Sequence, residues 1–265
     1  AYTADLKAQQ QETLKSNVAQ MYEELAAIHA SMSQGDYVDP DADPEQMVEE
    51  LEQALAHVTE LGAVCQTYQD YQRMFELDVD DFGAHTLCEK EVTARCALWK
   101  GMCEFLEKSN AWTEDAILTE SGEVQLNIET IRAEVDDYAT RAYKMGKTYK
   151  DDPVVMRFKD SIDDFKQILP LVEELANPAL ATRHWREIFE LIDADIPVSE
   201  DGTGFEAFNV RALLQYNILD KMDTIQTVSS VASKEYSLQK VLEKMRADWS
   251  GVVFRIMEYK DTGTY

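Results

Sequence analysis

The sequence predicts an all-α protein, with long helices in elongated, stacked antiparallel bundles and one short β-strand near the C-terminal end. Three observations carry that prediction. Apolar residues recur at alternating steps of three and four over long stretches, the spacing of a helix face packed along its neighbours. Only 10 Gly and 6 Pro stand among 265 residues, too few breakers for a loop-rich or many-stranded chain. The polar turns between the periodic stretches are short, as antiparallel helix neighbours require.

Taken in order, the first helix is expected from about Ala4 to Met32, striped by Leu14, Val18, Met21, Leu25, Ile28 and Met32. Residues 34–43 form an acidic loop, and Asp43-Pro44-Glu45 starts the second helix: a capping carboxylate, a proline at the first turn, then an acid that suits the helix dipole. That helix runs to about Phe75 on Met47, Leu51, Ala54, Val58, Leu61, Cys65 and Tyr68. Asp78, Asp80 and Asp81 follow in a short turn without the ligand order of a calcium loop. A third helix spans about Phe82–Lys108, with Cys88, Val92, Cys96, Trp99, Cys103 and Leu106 inward. Residues 109–122 are irregular, with room for a short helical turn near Trp112. The fourth helix, about Glu123–Tyr149, turns in Val124, Ile128, Ile131, Val135, Tyr138, Ala142 and Met145.

Asp151-Asp152-Pro153 caps a fifth helix, about Pro153–Leu175, and marks the best domain boundary in the chain. Pro170 lies inside this helix and is expected to kink or locally open it, because proline removes one backbone hydrogen bond. Asn177-Pro178 then ends it, since the residue before proline is pushed out of the helical region. Pro178 is expected to open a new helix through Leu180, Trp185, Ile188, Phe189 and Ile192. A loop at 193–204 and a short helix near Phe205–Leu214 follow. The last long helix, about Tyr216–Trp249, is expected to bury Ile218, Met222, Ile225, Val228, Ala232, Leu238, Leu242, Met245 and Trp249. Val252 to Tyr259 is β-branched and aromatic, fit for one strand.

The formal charge is −26. Residues 1–150 carry 12 Lys and Arg against 30 Asp and Glu, and 151–265 carry 13 against 21. So acidic a surface repels phosphate, which excludes nucleic acid and anionic membranes as partners. It reads as solvated helix faces or as a surface for a basic partner protein. No apolar run approaches the roughly 18 residues of a membrane-spanning helix. Four cysteines lack the close pairs of a zinc site and read as small buried residues in a reducing compartment. The first residue is Ala, and Tyr265 follows the strand-like run directly, so a piece of a longer polypeptide is expected.

The chain offers no constellation for catalysis. Three positions before His29, His57, His85 and His184 stand Ala26, Ala54, Phe82 and Ala181, so the Glu-x-x-His pairs of metal-binding bundles are missing. His85 and Glu89 share a helix face, but one such pair binds metal poorly. Gly146-Lys147-Thr148 has neither the preceding strand nor the glycine spacing of a phosphate loop. No catalytic, cofactor-binding or metal residue is expected. The pair worth weighing is His184-Trp185. There Trp185 anchors its helix, His184 meets a nearby carbonyl, and Arg183 with Arg186 reaches a carboxylate on a neighbouring helix.

The run Leu-Pro-x-x-x-x-Leu-x-Asn-Pro-x-Leu-x-x-Arg-His-Trp, with Pro170, Leu175, Asn177, Pro178, Leu180, Arg183, His184 and Trp185 in register, resembles dynein heavy chains where the tail meets the linker. The similarity continues in Ala232-x-Lys234-Glu235 with Leu242 and Trp249, and in Tyr259-Lys260-Asp261-Thr262-Gly263-Thr264, which is closer to ciliary members than to cytoplasmic ones. The run Phe208–Leu214 departs from the family, whose members usually carry a Thr-Leu-Gly-Asp-like stretch before the paired leucines.

The resemblance implies a non-catalytic mechanical segment of an ATP-driven microtubule motor. Residues 1–150 would be the acidic neck end of the tail, and 151–265 the N-terminal part of the linker that swings over the AAA+ ring. ATP and Mg²⁺ would belong to the parent motor domain outside this chain. Partners would be other heavy, intermediate and light chains and the parent ring, with the microtubule engaged only indirectly. The location would be cytoskeletal, in a ciliary or flagellar axoneme. The rival reading is a stand-alone spectrin-like helical scaffold that binds a basic partner.

Overall fold

The computed structural model describes residues 2–119, 122–197, 204–253 and 257. Among them the protein is all-α. The helices are α1 (Tyr2–Ser31), α2 (Pro44–Met74), α3 (Gly83–Glu114), α4 (Ile128–Thr148), α5 (Pro153–Leu175), α6 (Thr182–Leu191), α7 (Val210–Leu214) and α8 (Met222–Ser250). Single 3₁₀ turns occupy Gly35–Val38 and Ile218–Lys221. Isolated antiparallel bridges join Ala116 with Asn209 and Leu118 with Val124. The strand expected at Val252–Tyr259 falls mostly outside the described residues. No described helix is long and apolar enough to cross a membrane.

The chain forms two compact units that interleave in sequence. One holds residues 1–111 and 130–167, the other 112–129 and 168–265. In the first unit the expected stripes of α1 and α2 are buried at Leu14, Val18, Met21, Leu25, Met32, Met47, Leu51, Val58, Leu61 and Cys65. Asp43 caps α2 by accepting from the Glu45 N–H at 3.0 Å, with Pro44 at the first turn. The acidic turn after α2 serves as a fastening. The Asp80 carboxylate takes the Tyr22 hydroxyl at 3.3 Å and the Gln72 amide at 2.8 Å, and Asp81 accepts from the Gly83 N–H at 3.0 Å. Phe82, stacked on Tyr22 with centroids 5.5 Å apart, closes this end of the unit.

The third helix is longer than expected and runs to Glu114. It buries a second stripe, Leu98, Met102 and Phe105, besides Cys88, Val92, Cys96 and Trp99. Phe105 meets Tyr138, Phe158 and Phe165 at 5.5, 6.2 and 6.2 Å between centroids. The fourth helix starts at Ile128 rather than near Glu123. Val124 is drawn instead into the bridge with Leu118, and the Gln125 N–H donates to the Ile117 carbonyl at 2.9 Å.

A buried charge pair sits where α3 passes the start of α5. Arg95 reaches Asp152 at 2.7 Å, with side chains only 2% and 8% exposed. Its guanidinium lies over the Tyr149 ring, 4.4 Å from the centroid. The same Asp152 caps α5, accepting from the N–H groups of Val154 and Val155 at 3.0 and 3.2 Å. The carboxylate expected to cap this helix therefore also neutralises a buried arginine.

Helix α2 comes close to α3 at Gly62. A Cβ there would lie 2.8 Å from His85 Nε2, and that nitrogen donates to the Val58 carbonyl at 2.8 Å. Gly62→Ala is therefore expected to destabilise the wild-type chain, because the imidazole must leave its carbonyl. In a His85→Ala background the same change is expected to stabilise by about 1 kcal/mol, the helix preference of alanine over glycine. Urea unfolding of the four proteins of this cycle decides it, and equal effects in both backgrounds would refute the clash.

In the second unit, α6, α7 and the first half of α8 enclose Leu171, Val172, Leu175, Trp185, Ile188, Phe189, Phe208, Val210, Leu213, Ile225, Val228 and Ala232. Asn209 ties the unit together. Its Oδ1 accepts from the Ala212 N–H at 2.8 Å, capping α7, and its amide donates to the Glu114 carbonyl at 2.9 Å, capping the end of α3. Helix α8 begins later than expected because Asn217 takes a left-handed conformation, φ 51°.

The burial expected along the rest of α8 is not observed. Leu238, Leu242, Met245 and Trp249 are 65, 59, 53 and 65% exposed. Periodicity specifies an apolar face, not whether this chain supplies its cover.

Candidate functional site at the Asn177–Trp185 corner

The corner between α5 and α6 is built from local rules. The fifth helix runs through Pro170 to Leu175 without opening. Asn177 then makes an Asx turn: its Oδ1 accepts from the Ala179 N–H at 2.9 Å, and its carbonyl accepts from the Leu180 N–H at 3.1 Å. Pro178 lies in this turn, not at the first position of the next helix, which begins at Thr182. The preset φ of proline suits the second position of such a turn, and the asparagine side chain makes the turn self-sufficient.

His184 supplies the helix start. Ala181 stands at the cap position with no acceptor of its own, and His184, three residues on, reaches back so that Nδ1 accepts from the Ala181 N–H at 3.1 Å. This is one half of a capping box. Leu180 and Trp185, both buried, occupy the two positions of the hydrophobic staple around that start.

Helix α8 clasps the corner from the side. The Asn177 amide lies 3.0 Å from the Ser229 carbonyl, 2.9 Å from its Oγ and 2.8 Å from Ser233 Oγ. Two turns along, Glu235 Oε2 receives Arg183, through Nη2 and through Nε at 3.1 Å, and His184 Nε2 at 3.1 Å. Because Nδ1 accepts, Nε2 carries the hydrogen and donates. His184 thus meets a carboxylate rather than the expected carbonyl. Beneath the polar clasp Trp185 packs on Phe208 and Phe189 at 5.0 and 6.0 Å, and Phe189 on Phe205 at 4.8 Å, all edge-on or tilted. The indole N–H is buried with no partner among the described residues.

The Arg183 hydrogen bonds hold the Glu235 carboxyl below its ordinary value of 4.5, with a smaller contribution from His184 and a partial opposition from desolvation. A depressed carboxyl contributes stability that is present above its ordinary value and lost as pH falls through the lowered one. Glu235→Gln is expected to flatten the decline of the unfolding free energy below about pH 4.5. Matched urea titrations at pH 7 and pH 3.5 measure it; parallel losses in both proteins would show that the clasp adds nothing. The pair is half exposed, so the effect is that of a surface ion pair.

The structure brings Asn177, Arg183, His184 and Glu235 together, with Leu175 and Trp185 in the core below. Pro170, Pro178 and Lys234 are exposed, and Trp249 lies far along α8 on an open face. Tyr259, Lys260 and Gly263 fall outside the described residues. Sequence reasoning missed Ser229, Ser233 and the aromatic pair Phe205 and Phe208. Two serines four residues apart inside a long helix were the available signal, since serine gains little there without a partner. No group of His, Cys, Asp or Glu able to hold a metal ion occurs among the described residues. The polar side-chain atoms of Asn177, His184 and Glu235 are spent on backbone and on one another or on Ser229, Ser233 and Arg183.

A family model described as dynein heavy chain, N-terminal region 2, matches residues 85–265. Dynein axonemal heavy chain 1 of Mus musculus is 25% identical over 224 residues, 83% of this chain and 5% of that protein. Dynein axonemal heavy chain 3 of Mus musculus is 32% identical over 171 residues, 63% of this chain and 4% of that one. The flagellar outer arm dynein gamma chain of Chlamydomonas reinhardtii is 24% identical over 231 residues, 84% of this chain and 5% of its own length. The chain thus spans about one twentieth of the length of the relatives it matches.

Proposed function

The chain belongs to the dynein heavy chain family, and on that premise we propose that it is a non-catalytic mechanical segment joining the tail of the motor to the linker over its AAA+ ring. Residues 1–150 form the neck end of the tail and 151–265 the first part of the linker. ATP and Mg²⁺ act in the parent motor domain, outside this chain. The partners are the other heavy, intermediate and light chains of an axonemal dynein, and the location is a ciliary or flagellar axoneme, in line with the axonemal and flagellar relatives.

The observation that supports this reading is the clasped corner. Asn177, Arg183 and His184 bind α8 at three successive places while Trp185 fills the space below. Such an arrangement transmits a bending load, because deforming the angle must break charge-assisted hydrogen bonds and uncover packed aromatic area together. No observation favours the stand-alone scaffold.

The test uses the full-length motor with Asn177→Ala and Glu235→Ala combined. ATP turnover is expected to persist while microtubule gliding velocity and stall force fall. An unchanged stall force, or a loss of ATP turnover equal to the loss of motility, would refute a mechanical role for the corner.

A further inference from the structure

Where α4 turns into α5, the charge of the chain reverses. Residues 141–159 carry six cations against Asp151 and Asp152, a balance of +4 within a total of −26. Asp152 is already spent on Arg95 and on the start of α5. Other cations of α3 and α4 are tied down: Arg141 holds Asp137 at 2.7 Å, and Lys108 holds Glu134 at 2.9 Å. Lys147, Lys150 and Lys159 form no ion pair among the described residues. The carboxylates closest in sequence, Asp151, Asp160 and Asp163, pair with none of them. In a chain with 51 acids and 25 bases, such a group of lysines is available to an outside carboxylate.

Their placement is specific. Gly146 of α4 faces α5: a Cβ there would lie 3.6 Å from Val155 Cγ1 and would collide with Lys159 Nζ, so the half-buried Lys159 side chain lies across the glycine. At about 100° per residue, Tyr143 and then Lys147 come next around α4 on the outer side of this contact. By the same count Lys159 and then Met156 come next around α5 beyond Val155. Tyr143 is 60% and Met156 55% exposed, and the Lys147 ammonium sits 4.5 Å from the centre of the Tyr143 ring. The outer seam between the helices is thus bordered on each side by one ammonium and one exposed apolar side chain. Lys150 stands in the turn at its end.

We propose that this end of the α4–α5 hairpin docks a short acidic segment of a separate polypeptide, with carboxylates on Lys147, Lys150 and Lys159 and an apolar side chain between Tyr143 and Met156. The segment must be short. Residues 1–150 carry 12 bases against 30 acids, so an extended polyanion such as nucleic acid or an anionic bilayer is repelled beyond the reach of these lysines. Two copies at −26 each repel in the same way, which puts a separate chain ahead of self-association. The proposal concerns the first unit and does not depend on the mechanical reading of the corner.

The probe is a fluorescein-labelled peptide, Glu-Glu-Leu-Glu-Glu-Phe-Glu-Glu, titrated by fluorescence anisotropy against this chain and against the full-length heavy chain. Binding to both is expected, and it should weaken steeply with salt. Lys147→Glu with Lys159→Glu is expected to lower the affinity about tenfold, the effect of two rim ion pairs. Lys221→Glu with Lys244→Glu makes the same charge change elsewhere and is expected to cost less than about twofold. Gly146→Ala alters no charge; its methyl group displaces the Lys159 ammonium, and a loss of about threefold is expected with the thermal midpoint maintained. No binding, equal losses from the two charge-reversed pairs, or no loss from Gly146→Ala would overturn the docking site. Binding to this chain but not to the full-length heavy chain would show the patch covered by its own polypeptide. A dimer in sedimentation that Lys147→Glu dissociates would name a second copy, and tighter binding of phosphatidylserine vesicles would name a membrane. Each of these three also overturns the proposal, and none of them touches the family assignment.

Discussion

Asp152→Ala is expected to lower the unfolding free energy by about 3–5 kcal/mol, the cost of stranding a buried charge. Two losses coincide at this residue. The first turn of α5 loses the acceptor for two backbone N–H groups, a deletion that costs about 1 kcal/mol at an ordinary cap. Arg95, 2% exposed, loses its counter-charge while held between α3 and the Tyr149 ring. Its other hydrogen bond goes to the Tyr37 carbonyl at 3.4 Å, a neutral acceptor that the Trp99 indole also uses at 3.1 Å. Burial also pushes the Tyr149 hydroxyl well above its ordinary range, so it stays neutral and offers no replacement anion.

The two losses can be separated. Asn caps helices as well as Asp does, so Asp152→Asn keeps the cap and removes the charge. Pairing it with Arg95→Met is expected to recover most of the stability, because an apolar side chain of similar length needs no counter-ion. Urea unfolding of the three variants measures both parts. An Asp152→Ala loss below about 1 kcal/mol would place the pair among surface ion pairs, against its burial.

Trp185→Ala is the second large effect, at about 3–5 kcal/mol for removing a buried indole. The ring is 1% exposed and touches Phe189 and Phe208, so its removal leaves a cavity bounded by rigid aromatic neighbours that collapse poorly. Trp185→Phe is expected to be far milder than its volume suggests. The indole N–H is buried without a partner among the described residues, and deleting an unsatisfied donor relieves about 1–3 kcal/mol of desolvation that offsets part of the smaller cavity. Thermal unfolding of the two variants tests the point. Equal losses would mean that the N–H is satisfied after all.

Much of this architecture was legible because it rests on local rules. The stripes of α1 and α2, the Asp43-Pro44 start and the Asp152 cap follow from spacing and from backbone donors that need acceptors at helix ends. The errors have physical reasons too. A single stripe was read for α3, but the helix is covered on two sides, so Leu98, Met102 and Phe105 fell outside the pattern. Pro178 was read as a helix start because proline suits both that place and a turn; the Asn177 side chain decides for the turn. The partners of the corner lie more than fifty positions away, at Ser229, Ser233 and Glu235, and no short-range signal connects them. The outer half of α8 shows the opposite limit: its stripe is clear, while none of the described residues covers it.

The bonds made by Asn209 and Phe208 also set an order of events during synthesis. Asn209 closes on the Glu114 carbonyl across 95 positions, and Ile117 donates to the Phe208 carbonyl. Until that part of the chain has left the ribosome, the last turn of α3 has no cap and Ile117 has no shelter. The first unit takes in residues 130–167 meanwhile, so the segment that follows α3 waits for its later partners. Closing so long a loop is slow compared with forming a helical hairpin. A ribosome pause just before Phe208 would therefore expose an apolar segment at the moment when holdase chaperones are most needed.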